Sequence, residues 1–201
     1  MTLKRQSSPK RKLMTAARIA AAHLPLGLPP VFFLTDPDRT PDPARIARQL
    51  PEGWGIIYRH FGAADAAMIA SRLADISRQR HLRLLIAADP QLALQVGADG
   101  VHWPHARIAR SRKWKDRMPL MTASAHSPGE LRVLADFPID AALVSAIFPS
   151  ASPSAGKPLG ALALRRLAPD APCPVYALGG VNAGNAARVA PFAGLASVSA
   201  F

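Results

Sequence analysis

The chain has 201 residues, 49% of them hydrophobic, with 25 Lys and Arg against 13 Asp and Glu, a formal charge of +12. That length suits one large core and is short for two. A single cysteine, Cys173, excludes an internal disulfide framework and suits a reducing cytoplasm, and no apolar run approaches the ~18 residues of a membrane helix, so the expectation is a cytoplasmic protein with no membrane partner.

The basic excess begins at the N-terminus, where Lys4, Arg5, Lys10, Arg11, Lys12 and Arg18 precede the first acid, Asp36. Residues 1–12 read as disordered. Residues 1–23 share with transit peptides a basic, serine-containing, acid-free composition, without a recognisable cleavage site. Residues 13–24 are alanine-rich with apolar positions at helical spacing, and predict a short helix that Pro25, Pro29 and Pro30 end. Residues 1–24 are therefore set apart as a basic N-terminal extension from a main domain over 25–201.

From residue 31 onward, strand and helix patterns alternate. Strands are expected over 31–35, 55–60, 82–87, 100–102, 120–124, 141–147, 175–178 and 195–199. Helices are expected between them, over 43–50, 64–79, 90–96, 106–113, 128–137, 161–167 and 182–189. Several strands are nearly continuous apolar runs, as in sheets covered on both faces. Eight such strands predict an α/β fold, a small (β/α)8 TIM barrel. A doubly wound open sheet is the alternative, but no G-x-G-x-x-G follows the first strand. No closing helix follows the eighth strand within these residues, and the helix over 13–24 is expected to cover the surface left open there.

In such a barrel, chemistry gathers at the C-terminal strand ends. Gly179 and Gly180 end the seventh strand and are expected to lead into a helix near Asn182, an arrangement that lets a phosphate approach backbone N–H groups. Ser199, ending the eighth strand, offers a hydroxyl to the same anion. Arg59, after the second strand, suits a phosphate or carboxylate, or a structural ion pair. Ser124 and His126 end the fifth strand, where a histidine can serve as acid or base or orient a loop. The residues from Phe148 to Leu159, rich in Ser and Pro and carrying Lys157, read as a flap over the bound ligand. A second basic cluster, Arg107, Arg110, Arg112, Lys113, Lys115 and Arg117, is opposed only by Asp116. Basic fields attract phosphates or nucleic acid, but aromatics are only 6% and do not interleave with the charges, which argues against a nucleic-acid partner.

Taken in order, FFLTD (residues 32–36), IYR (57–59), LALQVGADGVH (92–102), TASAHS (122–127), IFPSAS (147–152), VYALGGVNAGNA (175–186) and GLASVSAF (194–201) resemble the thiamine phosphate synthase/TenI family of small (β/α)8 barrels. The resemblance spans about residues 31–201. It implies a pocket for two small phosphorylated heterocycles, a thiazole phosphate and an aminopyrimidine pyrophosphate. The synthase branch joins these with release of pyrophosphate, through a dissociative step assisted by Mg²⁺. By position, Arg59 would contact the pyrophosphate and Ser124 would lie beside the pyrimidine. Ser150 and Ser152 match paired threonines at the thiazole phosphate, which Gly180 and the backbone around Val198 and Ser199 would also hold. The oligomeric state, including a homo-oligomer, stays open.

The departures are as informative. The family's Asn-Asp pair after the third strand is Ala87-Ala88 here, and its second metal-binding Asp is Arg107. A glutamine expected before Arg59 is Ile57, and a lysine after the paired threonines is Pro153. Both carboxylates that hold Mg²⁺ in the family are thus absent, and alanine methyls offer a hard cation nothing. Asp89 is a partial substitute, and Arg107 a candidate source of positive charge where the metal would lie. The TenI branch, which isomerises the thiazole, also lacks those carboxylates, but its histidine is Ala146 here, leaving His126 as proton carrier. The expected activities are therefore a divergent thiamine phosphate synthase, a TenI-like isomerase, or a catalytically inactive phosphate-ligand-binding barrel.

Overall fold

The computed structural model describes residues 8–150 and 156–201. Eight parallel strands close in sequence order into a barrel: β1 (Val31–Leu34), β2 (Gly55–Tyr58), β3 (Arg83–Ala87), β4 (Gly100–Trp103), β5 (Leu120–Ala125), β6 (Ala141–Val144), β7 (Val175–Ala177) and β8 (Gly194–Ser197). Closure is direct, with Phe32 of β1 in register with both Gly55 of β2 and Ala196 of β8. The helices are α1 (Pro9–Ala21), α2 (Pro43–Ala47), α3 (Ala66–Gln79), α4 (Pro90–Val96), α5 (Pro128–Val133) and α6 (Ala161–Leu167). Each of α1, α2, α4 and α5 starts on a Ser or Asp side chain that accepts a first-turn N–H, followed by proline. That pairing caps the orphan donor and pre-sets the first helical φ.

Because side chains alternate along a strand, each strand serves two cores. Phe32, Leu34, Ile57, Leu85, Leu143, Tyr176 and Ala196 fill the barrel interior, while Val31, Phe33, Ile56, Leu84 and Ile86 face the surrounding helices. The Phe32 and Tyr176 rings meet at a tilt of 56° with centroids 5.0 Å apart. Gly55 and Gly194 make room for them, since a Cβ at either position would collide with the Phe32 or the Tyr176 ring. The Tyr176 hydroxyl donates to the Pro29 carbonyl at 2.6 Å, so its burial leaves no orphan polar atom.

Three expectations need correction. Pro9 to Lys12, read as disordered, form the first turn of α1, because Ser8 accepts the Arg11 N–H at 3.3 Å; residues 1–7 lie outside the described part. The helix expected over 106–113 is a 3-10 helix, His105–Trp114. The helix expected over 182–189 shrinks to a 3-10 turn, Ala186–Arg188. There Asn182 Oδ1 accepts the Gly184 N–H at 2.8 Å, Asn185 Oδ1 accepts the Asn182 N–H at 2.9 Å, and both side-chain amides donate to the Gly180 carbonyl. The asparagines hold the main chain in a turn that competes with helix formation. Helix α1 packs on β8 and on this 3-10 turn, burying Leu13, Ala16, Ala17 and Ala20, and the His23 ring bonds the Ala190 carbonyl at 2.7 Å.

Candidate active site

One cavity of about 370 Å³ opens at the C-terminal ends of the strands. It brings together Arg59, Ser124, His126, Ser150, Gly179, Gly180, Val198 and Ser199, all singled out in the sequence. Ser152 lies outside the described residues. Arg107 is exposed on the 3-10 helix and does not line the cavity. His102 and Ser145, which the sequence places at strand ends, also line it, and so does Arg39, which the sequence did not single out.

On the β7–β8 side, Gly179 and Gly180 have φ of +86° and +66°, a region that glycine enters without steric cost. A Cβ on Gly179 would lie 2.9 Å from the Ala146 Cα, and one on Gly180 would strike the Pro149 carbonyl. These glycines therefore serve close packing against the loop after β6 as well as any ligand. No hydrogen bond among the described residues uses the backbone N–H of Gly180, Val181, Val198 or Ser199. Ser197 Oγ donates to the Val181 carbonyl at 2.9 Å and ties the β8 end to the turn after β7. With no α-helix beginning near Asn182, the donors this side offers are turn N–H groups and not a helix terminus.

Next to β8 around the closed barrel, Asp36 follows β1 and accepts from two guanidiniums on the same oxygen. Arg39 Nη2 lies 2.7 Å and Arg59 Nη2 3.1 Å from Asp36 Oδ2. Arg59 is fixed further by Nε donating to the Thr35 carbonyl at 2.7 Å, and its guanidinium carbon stands 5.4 Å from the Phe61 ring centroid. The Arg39 side chain and main chain together hold the Asp36 carboxyl below its usual range against the opposing effect of burial, with the Arg59 charge adding to them.

Across the cavity, at the ends of β4, β5 and β6, lies a row of histidines and hydroxyls. His102 is buried, with Nδ1 2.9 Å from Thr122 Oγ1 and Nε2 2.9 Å from Ser124 Oγ. Burial, then the Arg59 and His126 charges, push its pKa down to about 3, so the ring is neutral near pH ~7. His126 Nδ1 lies 3.0 Å from Ser145 Oγ. Its backbone is set by the start of α5, where Glu130 accepts the His126 N–H at 2.7 Å and Ser127 accepts the Glu130 N–H at 3.1 Å, a close relative of the capping box.

The donor set does not fit the Mg²⁺ that the family resemblance implies. β3 ends on the methyls of Ala87 and Ala88, and Asp89 is engaged, capping α4 through the Leu92 N–H at 2.9 Å and facing His60 Nε2 at 3.6 Å. No carboxylate lines the cavity among the described residues, and they contain no cluster of three or more metal-binding side chains. A hard dication requires oxygen ligands that are missing here.

The family model for thiamine monophosphate synthase matches residues 31–201. A bifunctional thiamine biosynthesis protein ThiM/ThiE of Symbiobacterium thermophilum is 36% identical over 65% of this chain, which spans only 28% of that longer relative. The thiamine-phosphate synthases of Chloroflexus aurantiacus and Herpetosiphon aurantiacus are 33% and 30% identical, over 71% and 78% of this chain and 69% and 79% of their own. In fold, a thiamine phosphate pyrophosphorylase from Pyrococcus furiosus superposes with a TM-score of 0.73 at 22% identity, covering 85% of both chains. The chain belongs to the thiamine monophosphate synthase family.

Proposed function

We propose that this protein couples an aminopyrimidine pyrophosphate to a thiazole phosphate, forming thiamine phosphate. The observation that carries the reading is that the Gly179–Gly180 and Val198–Ser199 turns share one cavity with Arg59. The uncommitted N–H groups of these turns offer a phosphate monoester several donors without side-chain entropy cost, and Arg59, at the end of β2, offers a second anionic group a fixed guanidinium.

In this reaction the bond from the pyrimidine methylene carbon to the pyrophosphate oxygen breaks, and pyrophosphate leaves with the electron pair. The thiazole nitrogen then supplies the pair that forms the new C–N bond. No proton transfer to the reacting carbon is needed, so the protein's task is positioning and charge stabilisation. Arg59 stabilises the leaving anion. Ser124, oriented by the neutral His102, provides a hydroxyl beside the pyrimidine. The β7 and β8 turns anchor the thiazole through its phosphate. A coupled assay with both phosphorylated substrates tests this. Pyrophosphate release matched by thiamine phosphate formation is expected, whereas tight thiazole phosphate binding without turnover would assign the protein as an inactive binding barrel.

A second reading, isomerisation of the thiazole phosphate, is favoured by the His126–Ser145 pair at 3.0 Å. An imidazole beside a hydroxyl can take a proton from one carbon of the thiazole phosphate and return it to another. Isomerisation lost in His126→Ala, with no coupling in the unaltered protein, would establish this reading over the first.

A further inference from the structure

The cavity lacks any acidic lining among the described residues but contains two guanidiniums. Arg39 and Arg59 come from different strand ends and converge on Asp36 Oδ2 at 2.7 and 3.1 Å. One carboxylate balances one of the two cations, so a net positive charge remains at this side. Capacity for hydrogen bonding remains as well, since no hydrogen bond among the described residues uses Arg39 Nε or Nη1, or Arg59 Nη1. Asp36 is itself held by Thr40, whose hydroxyl accepts the Asp36 N–H at 2.8 Å and donates to its carbonyl at 2.9 Å. The two cations are therefore mounted on a fixed anion, not on a mobile loop. Their side chains are 32% and 23% exposed, partly desolvated yet open to a ligand.

We infer that Arg39 and Arg59 act as a paired guanidinium clamp that binds pyrophosphate without a divalent cation, Arg39 being a pyrophosphate-binding residue of this chain. The inference rests on the proposed reaction for the identity of the ligand. A pyrophosphate presents two tetrahedral groups with oxygens in several directions, and two planar forks approaching from different strand ends can each take a separate edge. A single arginine would satisfy one phosphoryl group only. Arg107, the sequence-based candidate for this charge, lies outside the cavity, which makes it a suitable control.

The test is calorimetric titration of the full chain with inorganic pyrophosphate, in EDTA and again with added Mg²⁺. The inference expects binding in EDTA that is weakened at least about tenfold in Arg39→Gln and unchanged in Arg107→Gln. Circular dichroism and a melting curve check that each variant is folded. Arg39→Lys, which keeps the charge but loses the fork, is expected to restore only part of the affinity. Binding seen only with Mg²⁺, no binding in either condition, unchanged affinity in Arg39→Gln, or an equal loss in Arg107→Gln would each overturn it. Titration with thiazole phosphate in parallel separates the outcomes. Failure of the clamp with intact thiazole phosphate binding removes this inference alone, whereas loss of both ligands removes the proposed reaction.

Discussion

His102 Nε2 lies 2.9 Å from Ser124 Oγ while Nδ1 lies 2.9 Å from Thr122 Oγ1, so one buried imidazole links two hydroxyls of the neighbouring strand. A neutral ring has one donor and one acceptor nitrogen, so its tautomer decides which serine or threonine hydroxyl accepts and which donates. Ser124 is thereby held in orientation by a residue beneath it.

The same histidine predicts an acid-sensitive fold. Its pKa falls from the usual 6.5 to about 3 on burial, so between these values the unfolded chain binds the extra proton. Stability therefore declines as pH drops from about 6.5 toward about 3 and levels off below, with a slope of at most about 1.4 kcal/mol per pH unit. Asp36, whose pKa is lowered from 3.8, contributes stability that is present above that value and is lost only at lower pH, so the two windows overlap only at the acid end of the histidine range. Urea denaturation between about pH 7 and about pH 4 should show a shallower decline for His102→Gln than for the unaltered chain. Equal slopes would show that His102 is not the group responsible.

Gly180→Ala should destabilise the fold by about 1–3 kcal/mol. Its φ of +66° and the nearby Pro149 carbonyl both oppose a Cβ. Denaturant midpoints would record the loss, and thiazole phosphate affinity should fall with it, because the turn cannot keep its backbone path.

Ser197→Ala tests whether the β7 and β8 ends work together. Losing the 2.9 Å bond to the Val181 carbonyl should cost only about 1 kcal/mol of stability, yet weaken thiazole phosphate binding severalfold by loosening the turn. Unchanged affinity on calorimetric titration would mean that the two turns hold their positions independently.

Removing residues 1–22 should lower the melting temperature by several degrees or more. The buried face Leu13, Ala16, Ala17 and Ala20 covers β8 and the 3-10 turn before it. The point variant Leu13→Ala should cost about 2–3 kcal/mol if that face is packed. A truncated protein with an unaltered melting temperature would show that α1 is dispensable to the barrel.

The barrel was legible in the sequence because a strand buried on both faces must be apolar nearly throughout, as Val31–Leu34 and Ala141–Val144 are. The helix over 182–189 was not, because its alanines fit a helix while Asn182 and Asn185 spend their side chains on the local backbone. Arg39 was missed for a related reason. It stands in an aperiodic loop, and its only sequence signal is the three-residue spacing from Asp36. Arg107 was a candidate because it stands where the family carries a metal-binding Asp, but on the 3-10 helix it is exposed and does not line the cavity. His102 was visible at a strand end, and its partners Thr122 and Ser124 on β5 became apparent only once β4 and β5 were placed in register.

The Phe32–Tyr176 contact and the apolar side chains around it fill the barrel interior, so the cavity at the strand ends is not reached through the barrel from its far end. A ligand that enters from the strand ends leaves the same way, and under the proposed coupling the joined product has to clear that mouth before a new pair of substrates is admitted.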